Sequence, residues 1–403
     1  MIARAGYRLL WTQPFPGLLL TTFVLGLTQA FMAPFGSLWA TEEVGMSSEQ
    51  LGAFMTINAA SAIVLSTWIG HWSDSHVARR SLLMVGACAG VCGALGYAFV
   101  REIVVLCLIG STAFALASMN FAQLFAHTRE ELAQKPGAQG SEREADAPFA
   151  LGVLRAGFAL SWVVGPNLGA AIKGRFGYQG LFLAVAVFFI LLLVCTYAFV
   201  SKRAREASAA LARPPVLAAL AQPRVFLHCL AFGLMFAATT LNSLNLPLHL
   251  TRELGGDERS VGLAFAISPL FEMGLMVGFG HLAARGHQRT VMLLGTAAAA
   301  CYFLLLRSIT APWQVYPLQV LLAAGVAVTA SVAIPFFQDL APEQPGLMTS
   351  LYSNALKVGS LIGFSSFGLL ASKVGSTGLF LVCGGLSCVT VIILAAAPAG
   401  PPR

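Results

Sequence analysis

Three charged side chains lie within long apolar stretches of this sequence. Arg155 lies about two turns into its stretch, Glu272 lies in SPLFEMGLM and Lys357 lies in SNALKVG. A charge inside a bilayer costs roughly 2.5–3.5 kcal/mol on insertion scales unless it faces a partner or water. These residues indicate a polar cavity in a membrane protein. Glu272 is the candidate for proton coupling, because a carboxyl in a low-dielectric cavity can bind and release a proton near neutral pH.

Lys357 or Arg155 could oppose Glu272 across the cavity. The alternative is a purely structural ion pair between Glu272 and Lys357, because both lie on helices expected to flank the cavity of the second half.

Amide side chains in otherwise apolar runs extend the set of candidate cavity residues. They are Gln29, Asn58, Asn120, Gln123, Asn242, Asn245 and Asn354. Sugars present hydroxyl groups in fixed directions, and buried amide and charged groups recognise such groups. Each amide could equally serve to join two packed helices.

The composition requires a membrane to position these groups. The chain is 57% hydrophobic and 10% charged, whereas a soluble domain carries roughly 25% charged residues. Each helical span needs roughly 20 apolar residues, and the runs lack the alternation of a β-barrel. The sequence therefore predicts an all-α polytopic membrane protein. Its twelve predicted spans are 17–40, 49–70, 81–100, 103–126, 149–172, 179–200, 225–248, 260–283, 290–306, 313–337, 347–371 and 377–397.

The basic residues predict the orientation. The net charge is +7, but the basic residues fall at span ends and form no nucleic-acid-binding face. With a cytoplasmic N-terminus, fifteen Lys and Arg residues lie in inside segments and seven in outside segments. The positive-inside rule therefore places both termini in the cytoplasm.

An internal repeat divides the chain into an N-terminal six-helix half (1–200), a cytoplasmic linker (201–224) and a C-terminal six-helix half (225–403). Residues 38–52 align with residues 248–262 at an offset of 210, and late in each half the offset falls to 198. Two parallel repeats with a substrate site near the membrane midplane are expected of major facilitator carriers.

Two short motifs resemble signatures of the major facilitator superfamily. The predicted loop GHWSDSHVARRSLL matches the superfamily's signature loop at Gly70, Asp74, Arg79 and Arg80. Asp74 there could latch the cytoplasmic side shut, and a plain solvated loop is the alternative. Gly165, Pro166 and Gly169 resemble part of an antiporter motif, although Ser161 stands where a glycine is expected. Close helix packing explains these three residues equally well.

Nearly the whole chain resembles the bacterial sugar efflux transporter family. The matching stretches include APFGSLWATEEVG, TINAASAIVLSTWIGHWSDSHVARR, LRAGFALSWVVGP and LPLHLTRELG. The resemblance implies a major facilitator fold in the bacterial inner membrane and proton-driven export of lactose, glucose and related glycosides or thiogalactosides. Arg155 and Glu272 match residue types of the family, whereas Lys357 departs from it.

The expected partners are a small sugar, protons and the lipid bilayer. We expect a monomer that needs no cofactor. We also expect no metal site, because the eight cysteines show no metal-ligand spacing. A catalytic constellation is missing from the sequence, so we do not expect an enzyme. An exporter of drugs or amphipathic metabolites is the alternative function.

Overall fold

Long α-helices make up almost all of the described protein. In a computed structural model, the described residues are 14–76, 78–133, 141–202 and 219–397, with side chains at all of them except 70–76, 132–133 and 141–149. The helical elements are α1 (Phe15–Glu43), α2 (Ser48–His76), α3 (Arg79–Phe99), α4 (Ile103–Glu131), α5 (Ser141–Phe199), α6 (Pro223–Glu253), α7 (Glu258–Leu306), α8 (Pro312–Ser331), α9 (Ala333–Leu340) and α10 (Pro345–Ala396).

Within these described residues, nine helices are long and apolar enough to cross a membrane. Three of them are about twice the needed length, and each contains one glycine with positive φ: Gly177 in α5, Gly286 in α7 and Gly375 in α10. Glycine adopts this conformation without a Cβ clash, so the chain can change direction there. Division at the three glycines leaves twelve segments, as many as the predicted spans, although the number of membrane crossings stays a prediction.

Most predicted boundaries lie within a few residues of the observed ones, but three need correction. The fifth predicted span begins at residue 149, whereas α5 begins at Ser141. The second predicted span ends at residue 70, whereas α2 continues to His76. Gly70 and Asp74 therefore lie in the last turns of a helix and not in a loop, since a helix that satisfies its own backbone can extend beyond the apolar layer. The predicted span 313–337 is in fact divided between α8 and α9, which meet at Val332.

Two compact units make up the chain. One comprises Met1–Ala33 and Ile57–Ala209, and the other comprises Pro34–Thr56 and Ala210–Arg403. The predicted linker 201–224 lies largely outside the described residues. In the second unit, α2 crosses α10 at Gly52 and Gly368, where a Cβ on Gly52 would meet the backbone of Gly368.

Polar contacts also hold the segment 34–56, one at the α2–α10 crossing and one between α1 and α6. The hydroxyl groups of Thr56 and Ser365 lie 3.2 Å apart. Arg252, at the end of α6, donates to the hydroxyl of Thr41 over 2.6 Å. The segment 34–56 is thus held by both glycine packing and hydrogen bonds.

The internal repeat is visible in backbone conformation. Gly45 and Gly255, which differ by 210 residues, have φ of 77° and 67°. Gly177 and Gly375, which differ by 198 residues, have φ of 67° and 66°. Each pair ends or interrupts helices at equivalent places of the two halves, which confirms the pseudo-symmetry that the sequence predicted.

Candidate functional site

Glu272 lies in the middle of the first part of α7, Glu258–Leu282, and is partly buried. The hydroxyl of Ser268, one turn earlier on the same helix, donates to Glu272 Oε1 over 2.9 Å. Pro269 lies between them inside the helix. Because proline has no N–H, it frees one backbone carbonyl of the preceding turn. The Glu272 carboxyl therefore lies next to the Ser268 hydroxyl, on a stretch of helix that lacks one backbone hydrogen bond.

The other two charged residues predicted for the cavity are Lys357 and Arg155, and Lys357 does not neutralise Glu272. Lys357 lies partly buried on α10, in the same unit as Glu272. No ion pair within 4.0 Å joins these two described side chains. The structural ion pair that the sequence left open is therefore not formed. Arg155 lies exposed on α5 in the first unit.

Asn58 belongs to a polar pair in the first unit. Its Nδ2 donates to the hydroxyl of Tyr97 on α3 over 3.4 Å, and its buried Oδ1 has no hydrogen-bond partner. Gly110 of α4 lies against both groups, since a Cβ there would lie 2.5 Å from each. A buried amide oxygen without a donor is costly, so this atom is a candidate acceptor for a hydroxyl of a substrate.

Asn242 occupies a comparable cluster in the second unit. Asn242 Nδ2 and Gln319 Nε2 both donate to the hydroxyl of Tyr302, over 3.5 Å and 3.3 Å. The Oδ1 of Asn242 is also buried without a partner. Each unit thus has an asparagine bound to a buried tyrosine, with an amide oxygen left to accept.

Two other predicted amides serve helix packing. Asn120 packs against Gly86 of α3. With its amide turned by 180°, the orientation that satisfies both groups, it donates to the Leu83 carbonyl and accepts from the Ala87 N–H over 3.3 Å each. Asn245 donates to the carbonyl of Ser376 over 2.9 Å. These contacts favour the helix-joining alternative for both residues.

Gln123 accepts a hydrogen bond from Arg79, one of the residues of the signature motif. Arg79 donates to both carboxylate oxygens of Glu130 over 2.7–2.8 Å and to Gln123 Oε1 over 2.8 Å. Arg80 donates to the carbonyl of Tyr197 over 2.7 Å and covers its ring. The two arginines therefore tie α3 to α4 and α5.

Other predicted residues remain apart from these groups. Gln29 of α1 is partly buried and Asn354 of α10 is exposed. The described structure gives neither side chain a hydrogen bond. The side chain of Asp74 lies outside the described ones, so its latch role stays a prediction.

The antiporter-like motif lies where α5 packs closely on α1. A Cβ on Gly165 would lie 2.6 Å from the Cβ of Ala30. Both Gly165 and Pro166 are buried, as is Gly169. Ser161 occupies space that Gly26 leaves open, so a glycine on the partner helix compensates for the one missing from the motif.

Sequence reasoning missed four residues of these clusters: Ser268, Tyr97, Tyr302 and Gln319. Gln319 is an amide in an apolar run and meets the criterion that selected the other amides. Serine and tyrosine are common in apolar helices, so residue type does not distinguish the other three. Among these three, the 210-residue offset that aligns Ser268 with Asn58 could have identified Ser268.

Comparisons with known proteins agree with this architecture. The sequence profile of the Major Facilitator Superfamily matches residues 18–241 and again 227–403. The chain is 33% identical to a putative sugar efflux transporter of Deinococcus radiodurans, covering 92% of this chain and 94% of the relative. It is 27% identical to sugar efflux transporter A of Escherichia coli, covering 94% of each. The crystal structure of a D323A mutant of the nucleoside transporter NupG superposes with a TM-score of 0.77 at 13% identity. The match covers 95% of this chain and 99% of the NupG chain.

The helical fold and the repeated profile match define a multi-pass transporter of the major facilitator superfamily and not an enzyme. Within this superfamily, the chain belongs to the bacterial sugar efflux transporter family.

Proposed function

We propose that this protein exports small sugars or glycosides, of the lactose, glucose and thiogalactoside type, in exchange for protons. Support for the substrate class comes from relatives named sugar efflux transporters, which align over nearly the whole chain. The location is the bacterial inner membrane, with both termini in the cytoplasm, and the working form is a monomer.

One observation carries the proton coupling: Glu272 is a carboxyl group in the middle of an apolar helix without an ion-pair partner among the described residues. A carboxylate fixed by a cation would have to break that pair in order to change its charge. Glu272 can change its charge with only the Ser268 hydroxyl to reorient. Intramembrane carboxyls of this kind commonly carry protons in transporters.

Sugar recognition is assigned to the amide groups whose oxygens still need a donor. Asn58 Oδ1 and Asn242 Oδ1 are buried acceptors, and a sugar hydroxyl is a donor of matching size and polarity. A site with unpaired buried acceptors rejects ligands that lack the hydroxyl group. Arg155 and Lys357 supply further donors in this proposal.

Alternating access links the two steps. Sugar binds from the cytoplasm, the outward-open form releases it, and a proton bound from outside resets the cycle. The Asp74 and Arg79–Glu130 region closes the cytoplasmic side in the outward-open form.

Efflux from proteoliposomes tests the proposal. Vesicles loaded with radiolabelled lactose or a thiogalactoside are compared with and without an imposed proton gradient. The gradient should stimulate efflux by the native protein, while Glu272→Gln should keep counterflow exchange and lose the stimulation. Glu258→Gln at the start of α7 is the matched control and should respond like the native protein.

Two results would contradict the proposal. Gradient-stimulated flux in Glu272→Gln would assign coupling to another carboxyl. Export of dyes or drugs without any sugar flux would move the function to the drug-exporter alternative.

A further inference from the structure

Ser268, Pro269 and Glu272 form a compact arrangement on α7. The Ser268 hydroxyl is buried and donates to Glu272 Oε1 over 2.9 Å. Residues spaced three and four apart share one helix face, so Phe265, Ser268 and Glu272 lie along the same side of α7. The carbonyl of Phe265 loses its usual donor because residue 269 is proline. On this face of α7, the Ser268 hydroxyl is the group that donates a hydrogen bond to the Glu272 carboxylate.

The surrounding elements leave this hydrogen bond as the main polar contact of Glu272. The first part of α7 contacts α8, the end of α6 and the second part of α7. The titratable or charged groups of these elements are Tyr316 of α8, His249, Arg252 and Glu253 of α6, and Arg285, His287, Arg289, Cys301 and Tyr302 of α7. Lys357 of α10 lies in the same unit. His249 pairs with Glu253 over 2.9 Å, Arg252 donates to Thr41, and Tyr302 accepts from Asn242 and Gln319. In the described structure, none of these groups forms an ion pair with Glu272.

The repeat shows that this arrangement is specific to the second half. At the offset of 210, Ser268 aligns with Asn58 and Glu272 aligns with Ala62. Asn58 donates to Tyr97 instead. Both halves thus have a polar residue at this position, but only the second half has a carboxyl one turn later.

We propose that Ser268 is a positioning residue for proton exchange at Glu272. The Ser268 hydroxyl holds the deprotonated Glu272 carboxylate and sets the pH at which the transporter binds its proton. The inference rests on the proposed coupling role of Glu272. A hydroxyl that donates to a carboxylate favours its charged form over its protonated form. Without the hydroxyl, protonation should occur at higher pH, and the carboxyl group should be free to rotate about its side-chain bonds.

The test is the pH profile of gradient-driven sugar efflux in proteoliposomes. Ser268→Ala should move the pH of half-maximal coupled flux upward by about one unit, or roughly tenfold in proton concentration, with little change in the apparent KM for sugar in counterflow. Ser268→Thr retains a hydroxyl and should restore the native profile. Ser268→Cys, a weaker donor of similar size, should give a smaller shift in the same direction and serves if the alanine variant does not fold.

Two controls separate the inference from the proposed function. Ser331→Ala removes a hydroxyl that donates to the carbonyl of Ala327 in its own helix, and its profile should match the native one. Glu272→Gln is measured alongside. Loss of coupling in Glu272→Gln with an unshifted profile in the alanine and cysteine variants of Ser268 would overturn this inference alone. Retained coupling in Glu272→Gln would overturn both.

Discussion

Asp257 begins α7 with a side-chain cap. Its Oδ1 accepts from both the N–H and the hydroxyl of Ser260 over 2.8 Å. The bond from the Ser260 hydroxyl, and to a smaller degree the bond from its N–H, hold the pKa of Asp257 below its usual value. At the equivalent place in the first half, Ser47 and Gln50 bond reciprocally, as in a capping box.

Replacement of Asp257 by alanine should therefore destabilise the protein by about 1 kcal/mol. Asp257→Asn keeps an acceptor oxygen and should lose less. The free energy of unfolding in mixed micelles measures both. Because the pKa of the native carboxyl is lowered, its contribution is complete at neutral pH and is lost only as the pH falls through that lowered value. Equal stability of Asp257→Ala and the native protein at pH 7 would contradict the cap.

The bidentate pair of Arg79 and Glu130 joins α3 to α4. The Arg79 side chain is 12% exposed and that of Glu130 is 34% exposed. Charge-assisted bonds with two parallel contacts exceed neutral ones in strength. A double-mutant cycle with Arg79→Ala and Glu130→Ala should yield a coupling free energy of about 1–3 kcal/mol.

Arg80 provides the comparison for this cycle. It bonds to the Tyr197 carbonyl and ring, so Arg80→Ala combined with Glu130→Ala should give additive losses. Additive losses for Arg79 and Glu130 as well would mean that their pair contributes no specific stability.

At the scale of elements, glycines decide how closely helices approach. A Cβ on Gly52 would clash with the backbone of Gly368, whereas a Cβ on Gly385 in α10 would meet nothing within 4 Å. Backbone atoms cannot move aside as a flexible side chain can. The α2–α10 crossing therefore depends on small residues, as close helix crossings in membranes generally do.

Gly52→Ala should accordingly destabilise the protein by about 1–3 kcal/mol through overpacking. Gly385→Ala is the matched control and should be neutral or stabilising by up to about 1 kcal/mol, because alanine favours a helix over glycine. Thermal unfolding in detergent compares the two. A Gly52→Ala variant as stable as Gly385→Ala would show that the crossing tolerates separation.

At the scale of the whole molecule, the repeat extends from sequence into packing. Gly165 packs on Ala30 in the first half, and Gly363 packs on Thr240 at the equivalent place in the second. Each pair follows the offsets of 198 and 210 that the sequence shows. A family profile that matches both halves separately agrees with the same duplication.

The orientation of this duplicated fold is testable with reporter fusions. A green fluorescent protein fused after residue 213 should fluoresce, because the linker is predicted to be cytoplasmic, and alkaline phosphatase fused after residue 255 should be active. The reciprocal fusions are the controls and should be at least tenfold weaker. The opposite pattern would invert the predicted topology.

The sequence by itself determined the class of fold and the main candidate for coupling. Long apolar runs require helices because hydrocarbon offers no partner to the backbone, and a carboxyl such as Glu272 is conspicuous because its insertion is costly. The repeat was equally readable, since loop glycines and polar residues recur at fixed offsets.

The tertiary structure alone decided which polar groups meet. Asn58, Asn120, Asn242 and Asn245 look alike in sequence, yet two bond to tyrosines and two bond to backbone. Lys357 lies in the same unit as Glu272 but forms no ion pair with it in the described structure. Such outcomes depend on helix rotation and on the space that glycines leave between helices, and neither is encoded in the spacing of residues along one chain.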